Sequence, residues 1–510
     1  MSNIIGIDLG TSTTLLAHLS ESGEPRIYPN KENKPCTHSA VWFEDQTKVI
    51  VGTPAFQMYG MVDPEKIFIE YKRDIGNPEK IYKIFEKEWT PRDFSALVLR
   101  QVREHFESNN GPIDAVVITV PANFTNEARV DTIKAAKEAG YNLTEDSLVN
   151  EPTAAAIYYA STAKLKGKYL VYDFGGGTFD ATILEVNGDD IRVLTSMGVQ
   201  KLGGKDLDEK LINLIGQKYS KISGNKFDDL STLLMSRWEI QGHKEMLSAR
   251  ESIDVVLRLD KIYRIKVTRD EFNEAISTLI ASAELMVDNV LADAKITAKD
   301  LSGVFLAGGT TLVPAVAQSV ENHLKIKPIS RDPVGSVALG ACIYAAIKNK
   351  NKLSGAASVA INQKKVVTVA PHHYGTTCYD RNLGKRVVEI IIPKNAGPLP
   401  FTFRKSFIRG PNHDANLKVN ITESVNAETD PDFVSIIHTA VLDNLPPVDD
   451  DKELEVTFTY DTNGCMQVKV RDIYSGIEIE FDPFDEKDSG NTKTTKKPSS
   501  AINIKDFTLE

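Results

Sequence analysis

The residues with the clearest chemical potential lie between Tyr169 and Val186, where two apolar runs flank three consecutive glycines. Runs rich in Val, Ile, Leu and Tyr predict strands, and the glycines predict a tight turn between them. Asp173, Thr178 and Asp180 would gather at the tip of this hairpin. Glycine has no Cβ to block a ligand that approaches the backbone, which applies here to Gly175, Gly176 and Gly177. The composition of the tip suits phosphate and its metal ion.

The same order of residue types recurs near the start of the chain, from Ile4 to Ala17. An apolar strand ends at Asp8, and Gly10, Thr11 and Ser12 precede a second apolar run. A plain β-hairpin turn would explain either stretch alone. Two copies that share the Asp-x-Gly order favour a common task, which is phosphate binding.

Two further charged positions are candidates, and each has a structural alternative. Lys72 is followed by Arg73 in a predicted helix from Ile67 to Ile75, and most such pairs are solvated surface residues. Glu151 stands where a strand end meets an Ala-rich helix with Pro152 near its first turn. Proteins of the α/β class place functional groups at such switches. An acid in the first turn also favours the helix dipole, so the residues alone leave both interpretations open.

Glycine turns open two more predicted helices. One lies between Leu202 and Asp208 and contains Gly203 and Gly204. The other follows a predicted strand between Gly303 and Pro314 and consists of Gly308, Gly309 and Thr310. Both turns present bare backbone that a ligand can contact.

The order of the predicted elements favours an α/β protein. Ala115 to Pro121 is nearly all apolar, as in a strand that is buried on both faces. A helix is predicted from Asn126 to Ala139, where Gly140 ends it. Thr268 and Glu271 have the spacing of a capping box at the start of another helix.

The βα rhythm stops between Lys348 and Lys365, which predicts a domain boundary. From Val366 to Phe481 the apolar runs are short and alternating, with Pro, Gly and Asn between them, as in an all-β domain. The residues after Asp485 are rich in Lys, Thr, Ser and Asp and predict a disordered tail. The mixed apolar end from Ile502 to Leu509 stands apart from the rest of this tail.

Composition excludes several classes of partner. The chain has 510 residues, 41% of them hydrophobic and 25% charged, and a net charge of -10, which argues against nucleic acid or an anionic membrane. It shows neither a signal peptide nor a membrane span, so we expect a cytoplasmic protein. Its four cysteines lie far apart, unlike a zinc site or redox motif. The pair His372-His373 has no partner at ligand spacing and is expected at the surface or in a turn.

The sequence resembles the DnaK-type chaperones, the seventy-kilodalton heat-shock proteins. The resemblance extends to about Phe481, and the combination of motifs is highly specific although each is weak alone. In order along the chain, the motifs that carry it are Ile7 to Thr11, Asn150 to Ala156, Asp173 to Asp180, Leu202 to Gly204 and Gly308 to Thr311.

This resemblance implies an α/β, actin-like nucleotide-binding domain with two ribonuclease-H-like lobes, followed by an all-β sandwich domain. The nucleotide-binding domain would comprise residues 1–350 and the interdomain linker 351–369. The sandwich, which binds substrate or partner, would comprise 370–484, and a disordered tail without a helical lid 485–510. ATP or ADP would lie between the two Asp-x-Gly hairpins with Mg²⁺, and K⁺ is a further cation that the resemblance allows.

The resemblance also implies a role for each matching residue. Asp8 and Asp173 would hold the metal, largely through water. Lys72 would lie beside the γ-phosphate and the attacking water, which Glu151, Asp180 and Thr178 would orient. The nucleotide would be held by Asp8, Gly10, Thr11, Ser12, Gly175, Gly176, Gly177, Gly203, Gly204, Gln241, Lys244, Ser248, Gly308, Gly309 and Thr310.

The sequence departs from the family pattern where the adenosine would bind. The arginine that normally follows the Gly-Gly turn is Leu312. The helix that usually offers a Glu, a Lys and often an Arg has Gln241, Lys244 and Glu245, with Ser248 retained. The grip on adenosine is therefore expected to be weaker or different.

The linker and the β domain also depart from the pattern. The linker segment from Lys364 to Val369 is less apolar and more basic than a leucine-rich family linker, which puts coupling between the domains in doubt. The positions that line the peptide groove in relatives fall on Thr376, Cys378, Tyr379, Phe407, Leu417 and Val419. Phe407, Leu417 and Val419 could equally be core residues. A groove without a lid is expected to release peptides quickly.

Two functions follow from the resemblance. The first is a slow ATPase that acts as a chaperone or co-chaperone and binds unfolded or extended polypeptide, with a J-domain protein and a nucleotide-exchange factor as partners. The alternative is an ATP-bound scaffold or regulatory protein that does not cycle and has one dedicated protein partner. A small-molecule kinase or filament-forming protein of the actin-like class is disfavoured by the long β domain.

Overall fold

The computed structural model describes residues 2–122, 124–143, 147–161, 165–187, 190–199, 201–354, 358, 370, 372–394, 396–397, 400–411, 415–424, 427–461, 465–481 and 502–509. The predicted linker segment from Lys364 to Val369 lies outside these residues. Within them the chain is mixed α/β up to about residue 350 and all-β from residue 373 to residue 481.

Strands and helices are numbered in chain order. The strands that precede the β domain are β1 (Ile4–Leu9), β2 (Thr13–Leu19), β3 (Pro25–Tyr28), β4 (Thr37–His38), β5 (Ala40–Phe43), β6 (Lys48–Val51), β7 (Ile67–Ile69), β8 (Tyr82–Ile84), β9 (Lys87–Trp89), β10 (Ala115–Val120), β11 (Leu148–Asn150), β12 (Lys166–Phe174), β13 (Phe179–Asn187), β14 (Asp190–Val199), β15 (Ser252–Arg258), β16 (Ile262–Thr268) and β17 (Leu301–Ala307). The α-helices are α1 (Thr53–Gln57), α2 (Pro91–Asn110), α3 (Asn126–Glu138), α4 (Glu151–Ala160), α5 (Gly204–Ser223), α6 (Arg237–Ala249), α7 (Arg269–Asp293), α8 (Pro314–Leu324) and α9 (Ser336–Lys348).

The first sheet has the order β11-β10-β1-β2-β3, with β4 paired to β2, and the second has the order β14-β13-β12-β17. In each sheet an antiparallel hairpin lies beside a parallel strand: β1 pairs with β2 and with β10, and β12 pairs with β13 and with β17. Both Asp-x-Gly hairpins predicted from the sequence therefore form. A third, smaller sheet contains β6, β5 and β7.

Helices α4 and α9 pack between the first and second sheets in a shared apolar core. Their approach is close because a Cβ built on Gly340 of α9 would lie 1.7 Å from the Ala154 carbonyl oxygen of α4. On its other side α9 approaches β1 at Gly6, where a Cβ would lie 2.1 Å from the Cys342 amide nitrogen. These contacts bring the ends of β1 and β12 toward each other.

Local signals explain where the main helices begin. The capping box predicted for α7 is present: the Thr268 amide donates to Glu271 Oε2 at 2.8 Å, and the Glu271 amide donates to Thr268 Oγ1 at 3.2 Å. The length and composition of α7 would allow it to cross a membrane. Phe272 and Ile276 on this helix are buried in the core beneath the second sheet.

The prediction of a helix from Ile67 to Ile75 is wrong. Ile67–Ile69 is strand β7, which pairs with β5, and Tyr71–Asp74 forms a 3₁₀ turn. Between them Glu70 has a φ of 61°, in the left-handed region that interrupts a right-handed helix. The run Ile-Phe-Ile combines β-branched and aromatic side chains, which favour a strand.

The β domain, residues 373–481, consists of two four-stranded antiparallel sheets with the orders β19-β18-β21-β22 and β20-β23-β24-β25. Side chains from both sheets share one apolar core. The strands predicted in this region all form, and the bounds are β18 (His373–Asp380), β19 (Lys385–Ile392), β20 (Phe401–Arg409), β21 (Leu417–Ser424), β22 (Ser435–Leu442), β23 (Lys452–Tyr460), β24 (Met466–Asp472) and β25 (Glu478–Phe481).

The β domain contacts the rest of the chain. His372, expected at the surface, is 3% exposed and lies 3.3 Å from the Phe124 carbonyl oxygen. Lys394 Nζ donates to the Ser196 carbonyl at 3.1 Å, and Glu423 accepts a hydrogen bond from the Asn126 amide at the start of α3. The expectation that His372 lies at the surface is therefore wrong, because this residue is buried where the β domain meets the α/β region.

The disordered tail predicted for 485–510 is also corrected at its end. Residues Ile504–Asp506 form a 3₁₀ turn and Thr508–Leu509 form strand β26, which pairs in parallel with β6. The preceding part of the tail, up to residue 501, lies outside the described residues.

Candidate functional site

The two Asp-x-Gly hairpins meet at one cavity of about 370 Å³. Strand β1 carries Asp8 near its end, and β12 carries Asp173, which stands opposite Asp180 of β13 in the strand register. Strand β1 runs parallel to β10, and β12 runs parallel to β17. The polar turns that follow β1 and β12 therefore lie at the carboxyl edges of the two sheets. The cavity opens at these two edges.

A buried ion pair lies at the closed end of the cavity. Lys72 Nζ lies 2.8 Å from Glu151 Oε1, and the Lys72 side chain is 3% exposed. Lys72 comes from the 3₁₀ turn after β7, whereas Glu151 is the first residue of α4. The Lys72 ammonium also lies 5.3 Å from the centre of the Phe124 ring. This Lys72 is therefore buried, unlike a solvated surface lysine.

Carboxylates are concentrated around this pair. Burial raises the pKa of Asp8 to about 7, the Glu151 carboxylate adds to the rise, and Lys72 and the Thr119 hydroxyl oppose it. Burial likewise raises the pKa of Asp180 to about 7. The Glu151 carboxylate adds to this rise, and Lys72 opposes it. Burial and the Glu151, Asp180 and Asp8 carboxylates hold the pKa of Asp173 well above its usual range. Positive charge brought into the cavity would lower all three pKa values.

The donor set fits a hard cation that also binds phosphate. No three His, Cys, Asp or Glu side chains among the described residues are grouped closely enough to hold a metal ion alone. Asp180 Oδ1 is buried and has no hydrogen-bond partner. Because Mg²⁺ on a nucleotide usually takes one or two carboxylates together with water and phosphate oxygens, Asp8 and Asp173 are the residues that would hold it.

Glycines bring the turns into close contact. A Cβ on Gly176 would lie 2.1 Å from Ser12 Oγ, so a side chain there would collide with the opposite hairpin. The glycine turn that opens α5 lies against the same tip, where the Gly204 amide donates to the Gly175 carbonyl at 3.0 Å. Thr310 Oγ1 donates to the same carbonyl at 2.8 Å. Three glycine turns therefore line one end of the cavity with bare backbone, which suits phosphate oxygens.

Helix α6 also lines the cavity. Lys244 Nζ donates to the Gly204 carbonyl at 2.9 Å and lies 2.9 Å from Asp208 Oδ1. One turn away, Gln241 Nε2 donates to Glu245 Oε1 at 2.9 Å. Leu312 also lines the cavity and is 54% exposed. Gln241, Glu245 and Leu312, where the sequence departs from the family pattern, all line this cavity.

The structure brings nearly all of the residues singled out from the sequence to this cavity. Gly203 and Asp180 are the exceptions, because Gly203 packs behind the wall against Gly177 and Asp180 lies beneath it. The residues in the wall are Asp8, Gly10, Thr11, Ser12, Lys72, Glu151, Asp173, Gly175, Gly176, Gly177, Thr178, Gly204, Gln241, Lys244, Ser248, Gly308, Gly309 and Thr310. Their contacts follow from the geometry, whereas their chemical roles remain predictions.

Sequence reasoning missed several contributors. Thr119 Oγ1 donates to Asp8 Oδ1 at 3.0 Å, and its signal was a polar residue near the end of an otherwise apolar strand. Arg73 donates to the Gly177 carbonyl and ties the turn after β7 to the second hairpin. Cys36, His38 and Phe56 line the outer wall, and no local pattern distinguishes them.

The residues proposed for peptide binding occupy different environments in the β domain. Tyr379 is 63% exposed. Phe407 and Leu417 are partly buried and pack against the core, and Val419 is buried within it. The burial of Val419, which is 6% exposed, favours the core interpretation that the sequence left open.

Comparison with known proteins identifies relatives over almost the whole chain. The sequence model of the Hsp70 protein family matches residues 4–497. The chaperone protein DnaK of Thermotoga neapolitana is 31% identical over 488 residues, which cover 93% of this chain and 79% of the relative. The DnaK proteins of Thermotoga maritima and Thermosipho melanesiensis are 31% and 29% identical over the same shares.

Proposed function

We propose that this chain, which belongs to the Hsp70 protein family, hydrolyses ATP between its two Asp-x-Gly hairpins and binds extended polypeptide through its β domain. The observation that carries the proposal is the buried cluster of Asp8, Glu151, Asp173 and Asp180 around Lys72 at the end of a nucleotide-sized cavity. Such a cluster suits a divalent cation and a transferring phosphoryl group. The relatives named DnaK are chaperone proteins, which favours the same function here.

The proposed architecture has two actin-like lobes built around the first and second sheets, with the β domain as a sandwich. It is supported by the parallel-plus-hairpin pairing that β1 and β12 share. The shared core of α4 and α9 would connect the lobes behind the nucleotide.

Each side chain at the closed end of the cavity has a distinct proposed task. Lys72 would place its ammonium beside the γ-phosphate, and the ion pair with Glu151 holds that ammonium in position. Glu151 and Thr178, which line the cavity, would orient the attacking water, and Asp180, buried beneath the wall beside Thr178, would belong to the network that accepts its proton. When bound, Mg²⁺, held by Asp8 and Asp173, would supply charge neutralisation for the phosphate oxygens.

The glycine turns and hydroxyls would hold the phosphates of the nucleotide, and α6 would hold its adenosine. Thr11, Ser12 and the amides from Gly175 to Gly177 face the cavity where backbone is accessible. Gln241, Lys244 and Ser248 of α6 line the same cavity and would form its adenosine end. With Leu312 in place of a family arginine, this end offers less charge to stack on a base.

The β domain is the proposed polypeptide-binding unit. It exposes large apolar side chains, including Tyr379, Phe403 and Ile408 on β18 and β20, and exposed apolar surface commonly marks an interaction site. A J-domain protein and a nucleotide-exchange factor are proposed as partners by family membership, and a cytoplasmic location by similarity to bacterial DnaK.

Single-turnover hydrolysis of ATP by the purified chain tests the enzymatic part of the proposal. Phosphate should be released from a stoichiometric complex with Mg²⁺ and should not be released when EDTA replaces Mg²⁺. Binding of ATP without any phosphate release above the buffer rate would instead favour a scaffold that does not cycle. The cluster of Gln241, Glu245 and Leu312 is the specific observation that favours this second candidate.

Calorimetric titration with unrelated unfolded peptides distinguishes the two candidates further. A chaperone should bind several of these peptides with similar affinity. A scaffold with one dedicated partner should bind none of them.

A further inference from the structure

Residues 502–509, which follow the β domain in sequence, dock on the α/β region. We call residues Ile502–Leu509 the tail segment. Its strand β26 pairs in parallel with β6, with Thr508 opposite Lys48 and Leu509 opposite Val49. The Thr508 amide donates to the Thr47 carbonyl at 2.9 Å. The tail segment thus extends the third sheet to β26-β6-β5-β7 and covers β6, which would otherwise be an edge strand.

Arg100 of α2 binds the backbone of the tail segment. Its Nη1 donates to the Ile504 carbonyl at 2.6 Å and to the Phe507 carbonyl at 2.9 Å. Glu104 orients the guanidinium by accepting from its Nε at 2.7 Å. Both carbonyls lie in the turn that immediately precedes β26, so Arg100 holds the turn from which the strand begins.

Two apolar side chains anchor the tail segment. Ile504 is 2% exposed and Phe507 is 4% exposed, and both belong to the core beneath the first sheet. The Phe507 ring lies 5.1 Å from the Trp89 ring in an edge-to-face arrangement, and Lys87 Nζ lies 4.7 Å from its centre. Lys505 between the anchors is exposed. The two anchors lie three residues apart across the 3₁₀ turn, so both enter the same core. Peptides that add a strand to a sheet commonly fill pockets with selected side chains in this way.

The connection along the chain gives this docking a consequence. The β domain ends at Phe481 and the tail segment begins at Ile502, so 482–501 join the β domain to the third sheet. Chain geometry limits the reach of such a connection to about 70 Å when fully extended. The other end of the β domain is already joined to the α/β region through 351–369. A docked tail segment therefore connects the two regions a second time.

We propose that the edge of β6, Arg100 and the pocket beside Trp89 form a peptide-docking groove whose occupant is the tail segment of the same chain, and that this docking keeps the β domain close to the α/β region. An intramolecular connection raises the effective concentration of the β domain at its contacts with α3 and β14. Release of the tail segment would empty the groove and would leave 351–369 as the connection between the β domain and the α/β region.

Hydrogen exchange of the full chain tests the docking. Phe507→Ala should speed exchange at least about tenfold in peptides that cover 502–509 and 47–51, because the largest anchor is lost. Lys505→Ala is the matched control, since it changes an exposed side chain on the same turn, and should leave exchange in both peptides unchanged. Arg100→Ala should also speed exchange in both peptides while leaving the apolar core in place, so the test does not depend on the folding of the Phe507 variant.

Small-angle scattering of the same proteins tests the second connection. Phe507→Ala and Arg100→Ala should increase the radius of gyration relative to the wild type and to Lys505→Ala. Unchanged exchange in both variants would overturn the docking, and faster exchange at constant radius would overturn the role in holding the β domain. Protection of the tail segment that depends on protein concentration and accompanies a doubled mass would overturn the assignment to the same chain, because a second copy would then be the occupant.

Discussion

Substitution of Lys72 by alanine tests the chemistry of the cavity most directly. Lys72 and Glu151 lie 2.8 Å apart with side chains 3% and 12% exposed, so alanine leaves the Glu151 carboxylate without its partner. Removal of one partner of a buried ion pair typically costs about 3–5 kcal/mol. We expect the lower end of this range, about 3 kcal/mol, because Glu151 retains some access to water.

The effect of Lys72→Ala on catalysis should exceed its effect on stability. The loss of one preorganised charge at a reacting centre commonly lowers turnover about 10²–10³-fold. We therefore expect phosphate release to fall about 100-fold or more, measured in single turnover with saturating ATP and Mg²⁺. The exposed Lys83→Ala serves as a control of equal chemical change and should leave turnover unaltered. Turnover of Lys72→Ala within about threefold of the wild type would refute the role assigned to Lys72.

The same variant should also change the dependence of stability on pH. Lys72 lowers the pKa values of Asp8 and Asp180, which burial has raised to about 7. Without Lys72 these pKa values rise further. A carboxyl group whose pKa is raised by folding favours the folded state below its ordinary pKa and loses that contribution as pH rises through the folded value. The destabilisation by Lys72→Ala should therefore be larger at pH 8 than at pH 6, and a constant difference in denaturant midpoint would contradict this electrostatic account.

Three further substitutions, the first with a control, address packing, the adenosine end and the domain contact. Gly340→Ala should destabilise the chain by about 1–3 kcal/mol in denaturant unfolding, because its Cβ would lie 1.7 Å from the Ala154 carbonyl oxygen. Gly242→Ala is the control and should be neutral or stabilising, because its Cβ would meet nothing within 4 Å. Leu312→Arg should tighten ATP binding in calorimetry by restoring a charge that can stack on the base, and unchanged affinity would show that the base binds elsewhere. Burial raises the pKa of Glu423 to about 7 from its ordinary 4.5. The wild type therefore loses the contribution of Glu423 to stability as pH rises through 7. Because glutamine does not titrate, the stability of Glu423→Gln relative to the wild type should increase between pH 5 and pH 8.

Local patterns were sufficient to predict much of the fold. The capping box of α7 and the alternating strands of the β domain involve residues within a few positions of each other, so their geometry is encoded locally. The prediction failed from Ile67 to Ile75, where the chain forms a strand and a 3₁₀ turn. Pairing of β7 with β5 and the left-handed conformation of Glu70 decided that region, and neither has a helical signature.

The residue types of the candidate site were predictable from the sequence alone, whereas their partners were not. Two Asp-x-Gly hairpins and several glycine turns are visible in the sequence because glycine is one of the strongest local signals of a turn. The pairing of Lys72 with Glu151 and the bond from Thr119 to Asp8 join residues far apart in sequence. Packing of α4 and α9 between the sheets places these residues together, and no local preference encodes that packing.

The sequence by itself determined which segments could become strands, helices and phosphate-binding turns, because those choices depend on short-range sterics and apolar periodicity. Only the tertiary structure decided that Lys72 is buried and that His372 lies between the β domain and the α/β region. It also decided that Ile502–Leu509 completes the sheet beside β6. The physical reason is the same in each case: an available strand edge, an apolar pocket or an unpaired carboxylate is a property of the assembled core, to which residues far apart in the sequence contribute.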